Sequence, residues 1–268
     1  MTPLLEIRDL RAWYPVRGGF FGRTRSYVRA VDGVSLQVAA GETVGLVGES
    51  GCGKSTLART ILLLEKPQAG SVQIDGHDIA TLDAAERRAY RRAVQVVFQD
   101  PFASLNPRHT ILDALTEAPL AHGLVGRGGR RALASRLLAD VGLGDEALDR
   151  YPHAFSGGQR QRICIARALA LQPRLLICDE AVSALDLSVR AQILNLLAEL
   201  RAARGLAYLF ITHDLGVVRH LADRIAVMRR GKIVESGPAE AILDTPQDPY
   251  TRELLAAVPS VAPARPRR

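Results

Sequence analysis

Cysteine is scarce in this 268-residue chain: Cys52, Cys164 and Cys178 lie far apart, with no metal-ligand spacing between them. That excludes a disulfide framework and a cysteine metal site, and it points to a reducing compartment. No apolar run approaches the ~18 residues that cross a bilayer, and no signal peptide is visible. The expectation is a cytosolic chain that meets membranes only peripherally. Internal repeats and low-complexity segments are missing too, so a solenoid is excluded. Acidic residues are outnumbered, 28 against 35 basic, for a net charge of +7. The excess gathers near the N-terminus, at Arg17, Arg23, Arg25 and Arg29, and in the tail "PARPRR". Such a balance suits a nucleotide, a nucleic acid or an anionic membrane surface, and equally a solvated basic surface. The remaining composition, 47% hydrophobic and 24% charged, is that of a globular chain with room for a sizeable core.

What is present alternates. "LLEIRDLRAWY" and "VRAVDGVSLQV" read as antiparallel strands, and "ETVGLVG" as a buried strand feeding a glycine-rich turn. Between the first two, "PVRGGFFGRTRSY" reads as a loop. "KSTLARTILLL" is a helix, and "SVQIDG" and "QVVFQD" are strands. From about Pro101 to Ala170 strand signals disappear and helical patterns dominate. The alternation resumes with "RLLICDE", "SVRAQILNLLAELRAA", "AYLFITHD" and "LGVVRHLA", then the hairpin "RIAVMRRGKIVESG". A proline-rich tail from about Ala239 carries one short helix, "YTRELLAAV".

"GESGCGKS", from Gly48 to Ser55, satisfies G-x-x-x-x-G-K-[ST] between an expected strand and an expected helix. Its residues Gly48, Glu49, Ser50, Gly51, Cys52, Gly53, Lys54, Ser55 and Thr56 form a phosphate cradle. Backbone N–H groups approach the phosphates, Lys54 reaches the β/γ-phosphates, and Ser55 ligates Mg²⁺. Cys52 fills a spacer position. The fold class expected is therefore α/β. A P-loop NTPase core with a mostly parallel sheet carries an N-terminal antiparallel β subdomain and an inserted α-helical subdomain. Residues 1–98 and 171–238 make the core, 99–170 the helical part and 239–268 a C-terminal extension, all in one ATPase domain. "LLICDE" ends in Asp179, an acid suited to hold Mg²⁺, and Glu180, placed to polarise an attacking water. "ITHD" puts His213 at a strand end, suited to contact a γ-phosphate. The other five histidines, His77, His109, His122, His153 and His220, read as surface or packing residues. "VFQDP" puts Gln99 after a strand, where its amide can touch Mg²⁺ or the lytic water. "FSGGQRQR" is a second helix start with exposed N–H groups, a second candidate anion site in one chain.

These motifs stand in the order and approximate spacing of the nucleotide-binding subunits of ABC transporters, which the chain resembles over nearly its whole length. Its most diagnostic element is "SGGQ". The resemblance implies ATP and Mg²⁺ as cofactors, Ser55, Gln99 and Asp179 as metal ligands, and Glu180, His213 and Gln99 as catalytic residues. It implies that two subunits pack head to tail, so that Ser156, Gly157, Gly158 and Gln159 cap the γ-phosphate held by the partner. Tyr14 matches the aromatic that stacks on adenine, with Tyr27 and Trp13 as rivals. "SALD", Ser183 to Asp186, matches the loop beside the partner's site. Ala181 stands where most relatives have proline, implying a looser turn after Glu180.

"PFASLNPR", "RYPHAFSGGQRQR", "ALDLSVRAQILNLL" and "TPQDPYTRELLAAVP" resemble bacterial ATPases of the dipeptide/oligopeptide/nickel import group. Those work as pairs, one member often carrying a C-terminal cysteine cluster; this chain resembles the cluster-free member. The implied setting is the cytoplasmic face of the bacterial inner membrane. The implied partners are a second ATPase subunit, two integral membrane permeases and, indirectly, an extracytoplasmic solute-binding protein, with no nucleic acid. Import of nickel or another small solute, and a scaffold ATPase in phosphonate breakdown, are the competing readings. Translation and DNA-repair ABC ATPases fit less well, because the chain has a single cassette and neither coiled-coil nor zinc insertion.

Overall fold

The computed structural model describes residues 3–18 and 23–257. Two sheets carry the fold. In the first, β1 (Leu5–Gly18) lies between β2 (Arg23–Val38) and β4 (Ala69–Ile74), all antiparallel, with the short β5 (His77–Asp78) at the edge. The second runs β10 (Lys232–Pro238), β9 (Arg224–Arg229), β3 (Thr43–Val47), β8 (Ala207–Thr212), β7 (Leu175–Asp179) and β6 (Val94–Val97). Every pairing in it is parallel except β9 with β10.

The apolar runs of β7 and β8 show why this sheet is central. Successive side chains of a strand point to opposite faces, and a parallel sheet is covered on both. Leu175, Ile177, Leu209 and Ile211 accordingly pack with Leu5, Ile7 and Leu57, under the antiparallel sheet. Leu176, Cys178, Tyr208 and Phe210 point the other way, into a core shared with the helices. Those helices are α4 (Ile111–Ala121), α5 (Arg130–Ala139), α6 (Gly157–Leu169) and α7 (Leu187–Arg204). The short α3 (Pro101–Ser104) starts the helical stretch, while α1 (Lys54–Ile61) and α2 (Ala84–Ala93) belong to the sheet side. A third, smaller core joins Val47, Ile225 and Val227 to α8 (Leu215–Leu221), α9 (Ala239–Asp244) and α10 (Pro249–Ala256).

One expectation fails. The loop read at Pro15 to Tyr27 is a continuation of the hairpin: β1 extends to Gly18, β2 begins at Arg23, and Pro15 pairs with Tyr27. Beyond Arg11 the β1 strand has lost β4 and pairs with β2 alone. An edge of that kind tolerates a proline, which cannot donate to a ladder, and bulges at Ala12/Trp13 and Val16/Arg17 break the alternation that would have announced a strand. Residues 19–22 of that stretch lie outside the described residues.

Candidate active site

The carboxyl ends of four parallel strands share one edge. Val47 of β3 pairs with Thr212 of β8, Ile211 with Asp179 of β7, and Cys178 with Val97 of β6. The residues that follow these ends are Gly48, His213, Glu180 and, two beyond Val97, Gln99. Open α/β sheets bind ligands at this edge.

The loop after β3 is held by close approach. A Cβ on Gly48 would overlap the Met228 carbonyl, and one on Gly53 would overlap the Ala30 carbonyl. Gly53, at φ +113°, is also the N-cap of α1, and no side chain caps that helix start. Its first-turn N–H groups are left for a ligand. Gly51 and Ser50 form the exposed rim, while Cys52 is buried beneath. Lys54 is only 5% exposed, and its Nζ donates to the carbonyls of Gly48 at 2.6 Å and Glu49 at 2.8 Å. Its third partner is Cys52 Sγ at 3.6 Å, and a buried ammonium with only neutral partners is a strong electrostatic invitation to an anion.

Beside it, Ser55 Oγ lies 3.4 Å from Asp179 Oδ1. Burial pushes the Asp179 carboxyl above the usual range, with Ser55 and Lys54 opposing the shift. A hydroxyl and a carboxylate are the oxygen donors a hard cation takes. Among the described residues no cluster of three His, Cys, Asp or Glu could hold a metal by itself. Ser55 and Asp179 are the residues here that could hold Mg²⁺. Gln99 is exposed at the same sheet edge.

Glu180 adopts φ +50°, a left-handed backbone that costs a non-glycine residue about 1 kcal/mol or more. Its surroundings impose it. The Glu180 N–H donates to the Ile211 carbonyl at 2.9 Å, and its own carbonyl accepts from the Ser183 N–H at 3.0 Å and hydroxyl at 2.9 Å. The carboxylate stands 3.3 Å from His213 Nδ1. The turn after Glu180 begins at Ala181. Gln161 of α6, fully buried, donates its amide to the Ala181 carbonyl at 2.6 Å and closes the turn from the other side. Reading the motifs missed Gln161, which sits two residues past "SGGQ"; an amide inside an otherwise apolar helix face was the available signal.

Tyr14 reaches this region from β1. Its hydroxyl bonds Glu65 and lies 3.4 Å from Thr56 Oγ1 of α1, with the ring partly exposed. Burial, then the Glu65 carboxylate, raise its hydroxyl pKa. The rivals engage each other instead: the Trp13 and Tyr27 rings are 6.2 Å apart, and the Arg29 guanidinium sits 5.0 Å over Trp13.

Ser156, Gly157, Gly158 and Gln159 are elsewhere, at the start of α6. Ser156 Oγ accepts from the Gln159 N–H at 3.3 Å, and Gln159 Oε1 accepts from the Ser156 N–H at 3.1 Å, a capping box. Among the described residues no hydrogen bond ties them to the Gly48–Thr56 loop. Gly158 faces α7, where an added Cβ would come within 2.5 Å of Val189, whereas Gly157 faces open space.

The ABC transporter family profile matches residues 31–183, more than half of the chain. The glutathione import ATP-binding protein GsiA of Escherichia coli (strain K12) is 52% identical over 265 residues, and that of Salmonella typhi 51% over 269. Each match takes in 99% of this chain, which spans 42% and 43% of the length of those relatives. The dimeric ATP-binding cassette MJ0796, in a post-hydrolysis state bound to ADP and Pi, superposes with a TM-score of 0.76 at 30% identity, over 88% of this chain and 98% of that one. CbiO1 from Clostridium perfringens, part of the ABC transporter complex cbiONQ, gives 0.76 at 25% identity, over 90% and 91%. With its phosphate loop, acidic strand end and "SGGQ" helix start in place, the chain belongs to the ABC transporter family, as one of its ATP-binding ATPase cassettes.

Proposed function

We propose that the chain powers the uptake of peptides or peptide-like solutes by a bacterial ABC importer. The GsiA relatives are named for import of glutathione, itself a tripeptide, which supports the peptide end of the group over nickel or a phosphonate scaffold. The observation that carries the hydrolytic part is the meeting of Lys54, the Ser55–Asp179 pair and the Glu180–His213 pair at one sheet edge.

In this reading the backbone of Gly48 to Thr56 cradles the phosphates, and Lys54 exchanges its carbonyl partners for the β/γ-phosphates. Ser55, Asp179 and Gln99 hold Mg²⁺, which supplies charge neutralisation of the phosphates when bound. Glu180 polarises the attacking water. His213 stands with Nδ1 3.3 Å from the Glu180 carboxylate, and its ring contacts the γ-phosphate. The Tyr14 ring supports adenine. Ser156 to Gln159 meet the γ-phosphate of a second ATPase subunit packed head to tail, with Ser183 to Asp186 passing beside that site. Segment 99–170 moves as the helical subdomain against the core, 1–98 with 171–238, and transmits closure to two permeases. Extension 239–268 completes the domain. The chain would work at the cytoplasmic membrane face, with a solute-binding protein outside; no helix among the described residues is long and apolar enough to cross a membrane.

The test is reconstitution with candidate permeases and a solute-binding protein from the same organism. Uptake of labelled glutathione or di- and tripeptides that requires ATP, and stops in Glu180→Gln, supports the proposal. Uptake of nickel but no peptide, or failure to associate with any permease, contradicts it.

A further inference from the structure

We propose that Tyr250 is a positioning residue of the phosphate loop, which makes the C-terminal extension part of the nucleotide site. The inference rests on the reading that Gly48 to Thr56 holds the phosphates.

Tyr250 stands 201 residues from the loop in sequence and touches it in space. Its hydroxyl oxygen accepts the Glu49 N–H at 3.1 Å. The carbonyl of that same peptide unit, Gly48 O, accepts from Lys54 Nζ at 2.6 Å. One peptide plane is thus held from both sides, by Lys54 on its carbonyl and Tyr250 on its N–H. Gly48 has no side chain with which to fix that plane, so its orientation depends on these two bonds. When Lys54 turns to a phosphate it releases the carbonyl. Tyr250 is then the side chain that keeps the plane, and with it the shoulder of the cradle, in place. The bond is part-buried, so water replaces it only incompletely when the hydroxyl is removed.

The start of α10 places this one hydroxyl. Asp248 caps α10, its Oδ1 accepting the Tyr250 N–H at 2.8 Å, with Pro249 as the first helical residue. Glu235 of β10 accepts from the N–H groups of Gln247 at 2.8 Å and Asp248 at 3.1 Å, clasping the helix start to the sheet. The ring is 2% exposed, packed among Val47, Leu215, Val218 and Ile242, with the Arg229 guanidinium 4.4 Å over its face. Burial raises the Tyr250 hydroxyl pKa, so it stays neutral and keeps its oxygen available as an acceptor.

Tyr250→Phe removes the hydroxyl alone and keeps the packing. In the 268-residue chain it should weaken Mg·ATP binding, measured by calorimetry, about tenfold, the upper end of what one lost part-buried hydrogen bond contributes. The KM for ATP should rise by the same factor while kcat changes less than about threefold, because Asp179 and Glu180 are untouched. Leu254→Ala, which loosens the same core without reaching Glu49, should lower the melting temperature and leave ATP affinity at 20 °C unchanged. The Glu49 amide should exchange slowly with deuterated solvent in the unmodified chain and rapidly in Tyr250→Phe. ATP affinity and KM at parent values in Tyr250→Phe would overturn the proposal, as would Leu254→Ala weakening ATP equally. Lys54→Ala separates the two levels. If it also binds Mg·ATP normally, the reading beneath has failed; if it loses binding while Tyr250→Phe does not, only the role of Tyr250 is lost.

Discussion

Two helix starts in this chain offer backbone N–H groups, and they are built differently. The start of α1 is enclosed by its own molecule: Ala30 and Met228 press on its glycines, and no side chain caps it. The start of α6 is exposed and already closed by its own Ser156–Gln159 capping box, with open space before Gly157. The first has its N–H groups free of any side-chain cap and its walls in place. The second is open at Gly157, and in the proposed reading it meets a phosphate that another subunit brings. This physical contrast, enclosure against exposure, is what supports reading one motif as working within the chain and the other between chains. Gln161, on the helix of the second, bonds the turn that follows Glu180 at the same sheet edge as the first.

The comparison breaks most severely at Glu180. Glu180→Gln keeps the cradle and should bind ATP as the parent does, while turnover falls about 10²-fold or more, the scale of a lost general base. Parent-rate phosphate release in the assembled complex would remove Glu180 from the mechanism. Asp179→Asn should also abolish hydrolysis and yet stabilise the nucleotide-free fold. Because burial raises the Asp179 pKa, the folded state binds its proton more tightly than the unfolded chain does. Its contribution favours folding at low pH and is lost as pH rises through the raised value, so at neutral pH the ionised carboxylate opposes folding. Thermal scans at pH 7.5 should show Asp179→Asn melting a few degrees higher, with the gap narrowing toward acid pH. An unchanged or lower melting point would contradict this.

What could be read in the sequence follows the same line between local and distant. The strands β7 and β8 announce themselves by unbroken apolar runs, and the cradle by glycines and a lysine at fixed spacing, because local geometry demands those residues. The long β1–β2 hairpin was hidden by glycines, arginines and two bulges that erase the period of two. The left-handed backbone of Glu180 gives no sign, since here hydrogen bonds rather than a glycine impose it. Gln161 and Tyr250 lie in elements whose helical pattern is plain, but their polar atoms act on residues 20 and 201 positions away. A pattern along the chain cannot show where a side chain ends in space.

Smaller effects sharpen the contrast. Gln161→Leu keeps the volume and removes the amide, leaving the Ala181 carbonyl buried without that donor. It should lower kcat about tenfold with KM for ATP unchanged, on the scale of one unsatisfied buried acceptor. A rise in KM instead would move Gln161 into nucleotide binding. At Tyr14 the effect is smallest. Tyr14→Ala should weaken ATP binding several-fold and Tyr14→Phe hardly at all, since stacking needs a ring and not a hydroxyl. Loss of affinity in Tyr27→Ala, with none in Tyr14→Ala, would transfer the adenine platform to Tyr27.

The division of labour between the two helix starts is best tested by complementation. Gly157→Asp places a carboxylate at the exposed start without the clash that Gly158 would suffer against Val189, and like-charge contact in a closed interface costs several kcal/mol. Lys54→Ala disables the enclosed cradle. Each variant alone should lack ATP hydrolysis, and Gly157→Asp should still bind Mg·ATP. In a mixed dimer, identified by native mass spectrometry, the cradle of the Gly157→Asp chain faces the intact helix start of the Lys54→Ala chain. Phosphate release should then return, at up to about half the parent rate for the one restored site of two. Mixed dimers that form and remain as inactive as either variant alone would show that both helix starts serve the same chain's nucleotide.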